Sequence, residues 1–149
     1  MRNATKALLL VLATGVLFIS CVEKAPGTMQ EGNPLLAEFD TPFGVPPFDR
    51  IEEAHYPPAF EAGMAAQRDA IALIANDTAA PTFENTIEAL ERSGELLSRV
   101  ENIFFALNSA NTSPRMQEIA REAAPLLSDH RDNISLDAKL FERVKAVYD

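Results

Sequence analysis

The chain has 149 residues, the length of about one domain. Its 13 basic and 22 acidic residues give a formal net charge of -9, the wrong sign for a protein that binds nucleic acid through phosphates. A single cysteine excludes an internal disulfide bond and a cluster of thiolate metal ligands from this chain.

The first residues are typical of a bacterial lipoprotein signal. Arg2 and Lys6 precede an apolar run, residues 7–19, which is shorter than the roughly 20 residues that cross a bilayer as a helix. Residues 18–21 read Phe-Ile-Ser-Cys and resemble a lipobox, in which the cysteine is acylated and becomes the new N-terminus. We therefore predict a signal peptide over residues 1–20 and lipidation of Cys21. A plain secretory signal cleaved near a cysteine is the alternative.

The charge of the mature chain indicates how it would be held at a membrane. Cleavage before Cys21 leaves 11 basic and 22 acidic side chains, and anionic lipid repels such a surface. Attachment should therefore depend on the acyl chains. Val22 stands where an aspartate would resemble an inner-membrane retention signal, so we expect an outer-membrane anchor that faces the periplasm.

Residues 21–48 are predicted to be the acylated cysteine and a tether, because prolines and glycines interrupt any apolar period. The second half of the tether nevertheless contains large apolar side chains and is predicted to lie in a groove on the folded body. These side chains are Leu35, Leu36, Phe39, Phe43 and Phe48.

The remaining residues, 49–149, predict helices. A short helix is expected over Asp49–His55, and Pro58 suits the first turn of the next one. That second helix is expected to end near Asn76, which tolerates the left-handed conformation. Its apolar side is predicted from spacings of four and three residues to contain Phe60, Met64, Gln67, Ile71 and Ile74.

The longest predicted helix has Thr82 as its N-cap and an apolar stripe from Phe83 to Leu107. Gly94 lies in this stripe, where it costs about 1 kcal/mol relative to alanine. We infer that a neighbouring helix approaches closely at Gly94.

Two further helices complete the prediction. Ser113 and Pro114 form an N-cap and first-turn pair, and Pro125 is expected to kink or split the helix that follows. A break at residues 133–135 precedes a last helix capped by Ser135. The apolar side of that helix is predicted to contain Leu136, Leu140, Phe141, Val144 and Val147. Because no run shows strand alternation, we predict an all-α antiparallel helical array. Its helical period continues to Asp149, as in a chain interrupted within a helix.

A row of carboxylates is interpreted as a solvated helix face rather than as a metal or acid–base site. Pairs four residues apart, Glu88 with Arg92 and Glu95 with Arg99, favour that interpretation. The other two carboxylates of the row are Glu84 and Glu91.

Neither histidine is predicted to be catalytic or to bind metal. His55 and His130 lack a histidine or carboxylate at the spacing of a helical zinc site. The sequence also contains no glycine-rich phosphate loop and no Gly-x-Ser-x-Gly motif. We therefore assign no catalytic residue and no metal ligand.

Several phrases, in order and at matching separations, resemble the N-terminal helical region of the M3 family of zinc metallopeptidases. The resemblance is strongest to bacterial peptidyl-dipeptidases, also called dipeptidyl carboxypeptidases, and to oligopeptidase A. The phrases are Asn-Pro-Leu-Leu at 33–36, Phe-Asp-Arg-Ile at 48–51, residues 55–64, residues 81–87 and residues 93–97. The residues that we take as its fold signature are His55, Tyr56, Pro58, Phe60, Phe83, Asn85, Thr86 and Gly94.

This resemblance implies a large, clam-shaped helical enzyme whose channel admits short unstructured peptides. Its zinc is held by His-Glu-x-x-His and a downstream glutamate, and the glutamate within the motif activates the zinc-bound water. The present sequence has no such motif, so no catalytic residue is carried over. We expect zinc only in the full-length protein and none bound by this chain, which alone should be inactive and should form part of the channel wall.

The alternative is a self-standing small helical lipoprotein that acts as a binding module. Such a protein should carry polar residues where the missing half would otherwise cover its helices. The corresponding positions are apolar, which favours the fragment. They are Phe104, Phe105, Leu126, Leu127 and Phe141.

Overall fold

The computed structural model describes residues 32–149. Within that range the chain forms helices and turns without a strand, which confirms the all-α prediction. No helix in this part is both long enough and apolar enough to span a membrane. The elements are two 3₁₀ turns, Pro42–Gly44 and Glu53–His55, helix α1 (Tyr56–Ala75), a π-helical turn (Phe83–Glu88), and helices α2 (Ala89–Ser93), α3 (Glu95–Ala110), α4 (Pro114–Ser135) and α5 (Ala138–Tyr148).

Helix α1 is the central element, because α3, α4 and α5 all pack against it. Helix α3 runs antiparallel to α1: Gly63 faces Leu97, whereas Gln67, one turn later, faces Gly94. At Gly63 an added Cβ would lie 2.9 Å from the Cα of Leu97. Glycine is therefore required there by direct contact between the two backbones.

The main core surrounds Phe104, which is fully buried. The ring of Phe104 makes edge-to-face contacts with Tyr56 and Phe60, with ring centroids 4.9 and 5.2 Å apart. Such pairs add about 1 kcal/mol to the effect of burying the rings. The other buried side chains of this core include Leu35, Met64, Leu97, Val100, Ile103, Met116, Ile119 and Leu127.

A second, smaller core joins α5 to the end of α1. Ile71, Ile74 and Leu140 are buried in it, and Val144 packs against them. The apolar side predicted for the last helix is partly wrong, because Leu136 and Phe141 are 82% and 59% exposed.

The starts of the last two helices follow the expected capping chemistry, with one correction. The hydroxyl of Ser113 accepts a hydrogen bond from the N–H of Met116 at 3.0 Å, as predicted. The predicted break at residues 133–135 and the cap at Ser135 are wrong, because α4 continues through Ser135. Asp137 caps α5 instead, accepting from the N–H of Leu140 at 2.8 Å.

Pro125 does not split α4, which is continuous from Pro114 to Ser135. Pro125 is exposed on the helix, so the carbonyl that loses its usual donor can be solvated. The longest predicted helix is instead interrupted at Gly94, whose φ of -94° and ψ of 3° separate α2 from α3. Phe83 was predicted to be in the buried stripe but is 56% exposed, because the turn that contains it is π-helical rather than α-helical.

The segment before α1 is only partly packed. Leu35 is fully buried, whereas Phe43 is fully exposed and Phe48 is half-exposed. The predicted helix over residues 49–55 is reduced to the turn Glu53–His55, because the preceding Glu52 is extended and caps that turn.

Helix α1 has the predicted end, because its last residue is Ala75 and Asn76 is its C-cap. The helix begins at Tyr56, with Pro57 and Pro58 in its first turn, where their missing N–H groups cost nothing. Asn76 ends α1 with a φ of -103°, so the expected left-handed conformation is wrong. Its side-chain amide instead donates to the carbonyl of Ala72 at 2.7 Å.

Candidate functional site

The first group of signature residues lies at the start of α1. Tyr56 and Phe60 are buried against Phe104, while Pro58 is half-buried in the first turn. The Nδ1 atom of His55 accepts a hydrogen bond from the N–H of Glu52 at 2.9 Å. These residues therefore fix the entry of α1 into the core.

His55 also connects this helix start to the preceding segment. Its carbonyl oxygen accepts a hydrogen bond of 2.8 Å from the side-chain amide of Asn33, which is buried. The side-chain oxygen of Asn33 in turn accepts from the N–H of Leu35 at 3.0 Å. The buried side chain of Asn33 thus stabilises the turn that places Leu35 in the core.

Tyr56 has a buried hydroxyl without a hydrogen-bond partner among residues 32–149. Burial, and then the nearby carboxylate of Glu53, raise the pKa of this hydroxyl above its usual value of 10.0. The phenol therefore stays protonated at neutral pH, and Tyr56 acts as a packing residue.

The second group of signature residues surrounds Asn85. Its side-chain oxygen accepts from the N–H of Thr82, while its own N–H donates to the Thr82 hydroxyl at 3.2 Å. The same oxygen accepts from the hydroxyl of the fully buried Thr86 at 2.8 Å and from Arg143 at 3.2 Å. This confirms Thr82 as an N-cap and places Asn85 at the centre of a polar network.

Arg143 extends that network from α5. Its guanidinium donates to the carbonyls of Asp77 and Ala79, at 2.7 and 3.1 Å, and lies 3.4 Å from the Asp77 carboxylate. Arg143 is only 8% exposed, and these bonds offset much of the cost of burying its charge, although its buried Nε has no partner among residues 32–149. The loop between α1 and the π-helical turn is therefore fastened to α5.

Gly94, the remaining signature residue, lies against α1 as predicted. A Cβ at this position would come within 2.8 Å of Nε2 of Gln67. Oε1 of Gln67 lies 2.8 Å from Nε2 of the buried His130 on α4. Burial, and then the charges of Arg68 and Arg131, lower the pKa of His130 from its usual 6.5. His130 is therefore neutral at pH 7, and Gln67 joins three helices.

The predicted row of carboxylates forms one of its two expected ion pairs. Glu88 and Arg92 lie 3.1 Å apart at the surface. Arg99 does not pair with Glu95: it donates to the carbonyl of Leu35 at 2.9 Å and lies over the ring of Phe39 at 4.8 Å. Because Leu35 is buried, its carbonyl oxygen lies within hydrogen-bond distance of the Arg99 guanidinium. The same guanidinium makes a cation–π contact with the ring of Phe39.

Sequence reasoning missed the roles of Asn33, Gln67, Arg99 and Arg143. Arg143 could have been noticed, since it lies three residues after Leu140 on α5 and therefore shares the buried side of that helix. Asn33 precedes a proline, a context typical of turns. For Gln67 and Arg99 the sequence carries no comparable signal, because their partners lie more than 60 residues away.

An apolar groove runs between the parallel helices α1 and α4. Its deeper part is a cavity of about 120 Å³ floored by Phe60, Met64 and Leu127, with Glu61 and Glu122 among its lining residues. A second part of about 190 Å³ continues from Met64 past Arg68, Asp129 and His130. Leu126 borders both parts and is 54% exposed.

Residues 32–149 do not fit a zinc site. No group of three histidine, cysteine, aspartate or glutamate residues in this range is placed to hold a metal ion. His55 and His130 lie in separate groups, and each has a ring nitrogen engaged by a protein group. The predicted lipidation site, Cys21, lies outside the described residues.

Comparison with known proteins identifies the relatives of the chain. It is 44% identical to the dipeptidyl carboxypeptidase of Salmonella typhimurium over 116 residues and 43% identical to that of Escherichia coli over the same length. It is 29% identical to oligopeptidase A of Escherichia coli over 117 residues. Its homologues are peptidases of the M3 family. No family model matches the chain.

The alignments cover most of the present chain but only a small part of each relative. Each of these three alignments covers 78% of the present chain but only 17% of the relative. The chain therefore spans about a sixth of the length of the M3 peptidases that it matches. The signature residues His55, Asn85 and Gly94 take part in capping and packing the helices, and none of them lines the α1/α4 groove.

Proposed function

We propose that this chain is part of a zinc-dependent peptidyl-dipeptidase of the M3 family, an enzyme that releases dipeptides from the C-termini of short peptides. The observation that carries the proposal is the 44% identity to a dipeptidyl carboxypeptidase over 116 residues. Identity to oligopeptidase A is lower, at 29%, which favours the exopeptidase over an endopeptidase.

Within that enzyme, the present helices form part of the wall of the substrate channel and limit access to it. Two features support a wall rather than a catalytic role. The histidines serve structural hydrogen bonds, and several large apolar side chains are exposed, as expected for a portion that packs against more protein. The exposed side chains include Phe105, Leu126, Phe141 and Tyr148.

Zinc and its chemistry would come from another part of the enzyme. The donor set of this chain cannot supply the two histidines of His-Glu-x-x-His, since its only histidines are His55 and His130. The 149-residue chain alone is therefore inactive, and its contribution is to restrict substrates and to brace the catalytic part.

Two measurements test this function. The coding sequence beyond the codon of Asp149 should stay open and reach His-Glu-x-x-His with a downstream glutamate. A stop codon directly after Asp149 would leave the self-standing helical lipoprotein as the better description. In the second test, the purified chain with added zinc should release no C-terminal dipeptide from an N-blocked peptide. Turnover proportional to bound zinc would contradict the proposed inactivity.

We further propose that Cys21 is acylated and anchors the protein to the outer membrane on the periplasmic side. The lipobox-like sequence before Cys21 and the net negative charge of the mature chain support acylation as the means of attachment. Mass spectrometry of the mature N-terminal peptide should show a diacylated cysteine. Membrane fractionation should show release of the Cys21→Ala variant, and an unmodified Cys21 would overturn the anchor.

A further inference from the structure

We draw no further inference here: the strongest candidate, the apolar groove between α1 and α4 with Leu126 at its edge, belongs to a chain that spans about a sixth of the length of its relatives, and nothing in the described residues shows what covers it.

Discussion

The Nε2 atom of His130 lies 2.8 Å from Oε1 of Gln67, and the same Gln67 amide covers Gly94 at the start of a third helix. A single uncharged side chain thus connects α1, α3 and α4 near the middle of the array. Since His130 is buried, the strength of this connection depends on whether the imidazole carries a proton.

Lowering the pH should destabilise the fold through His130. Its pKa is lowered in the folded state, so the unfolded chain binds the proton more readily, and stability falls as pH drops below about 6.5. Urea unfolding at pH 7, 6 and 5 should show that His130→Gln loses less stability on acidification than the parent chain. A difference between the two proteins that stays constant with pH would contradict this linkage.

Replacing Gly63 with alanine should destabilise the protein by about 2 kcal/mol, because the new Cβ would lie 2.9 Å from the Cα of Leu97 and the backbones would have to separate. At Gly94 the same change meets only the end of the flexible Gln67 side chain. The Gln67 amide can move aside at the cost of its hydrogen bond to His130, so Gly94→Ala should cost about 1 kcal/mol, less than Gly63→Ala. Thermal and urea unfolding measure both variants, and a smaller loss at Gly63 than at Gly94 would show that α1 and α3 are not in direct contact.

Removing the guanidinium of Arg143 should cost about 3 kcal/mol, because two backbone carbonyls and the side chain of Asn85 would lose a charged donor. Arg143→Lys should recover only part of this loss, since an ammonium lacks the planar fork. Arg121→Met, at an exposed position of α4, is the control and should change stability by less than about 0.5 kcal/mol. Equal unfolding midpoints for Arg143→Met and Arg121→Met would refute the fastening of the loop to α5.

The segment before α1 should respond very differently at two of its apolar residues. Leu35→Ala should cost about 3 kcal/mol, because Leu35 is fully buried, and should expose residues 33–48 to proteolysis. Phe43→Ala should have almost no effect on stability, because Phe43 is fully exposed. Unfolding curves and limited proteolysis of both variants provide the comparison. A similar cost for both would mean that the whole segment packs as one unit.

Apolar periodicity predicted much of the helical framework, because burial of one side of a helix leaves a direct trace in the sequence. The stripe through Leu97, Val100 and Phe104 is buried as that periodicity indicates. Capping residues such as Ser113 were also predictable, since their hydrogen bonds are local.

Two of the wrong expectations concern contacts with distant partners. Periodicity continued through Gly94, but the conformation there separates α2 from α3, next to Gln67. The glutamate row suggested a partner for Arg99 four residues away, but a carbonyl 64 residues earlier in the chain binds it instead. Local spacing contains no information about such long-range polar contacts.

The candidate groove was also hidden from the sequence, although its residues were assigned to helices. Met64 and Leu127 belong to predicted apolar sides, yet only the parallel packing of α1 and α4 places Glu61 and Glu122 beside the same cavity. The pairing of two helices, and hence of their charges, depends on the connections and on the close approach of α3.

The hydrogen bond from Asn33 to the carbonyl of His55 determines how long the free segment after Cys21 can be. Asn33 is fastened to the carbonyl of His55, so only residues 22–32 separate Cys21 from the fastened part of the chain. Eleven residues reach at most about 40 Å when fully extended, roughly a third more than the length of α1. If Cys21 is acylated, the first fastened residue would therefore stay within about 40 Å of the bilayer surface.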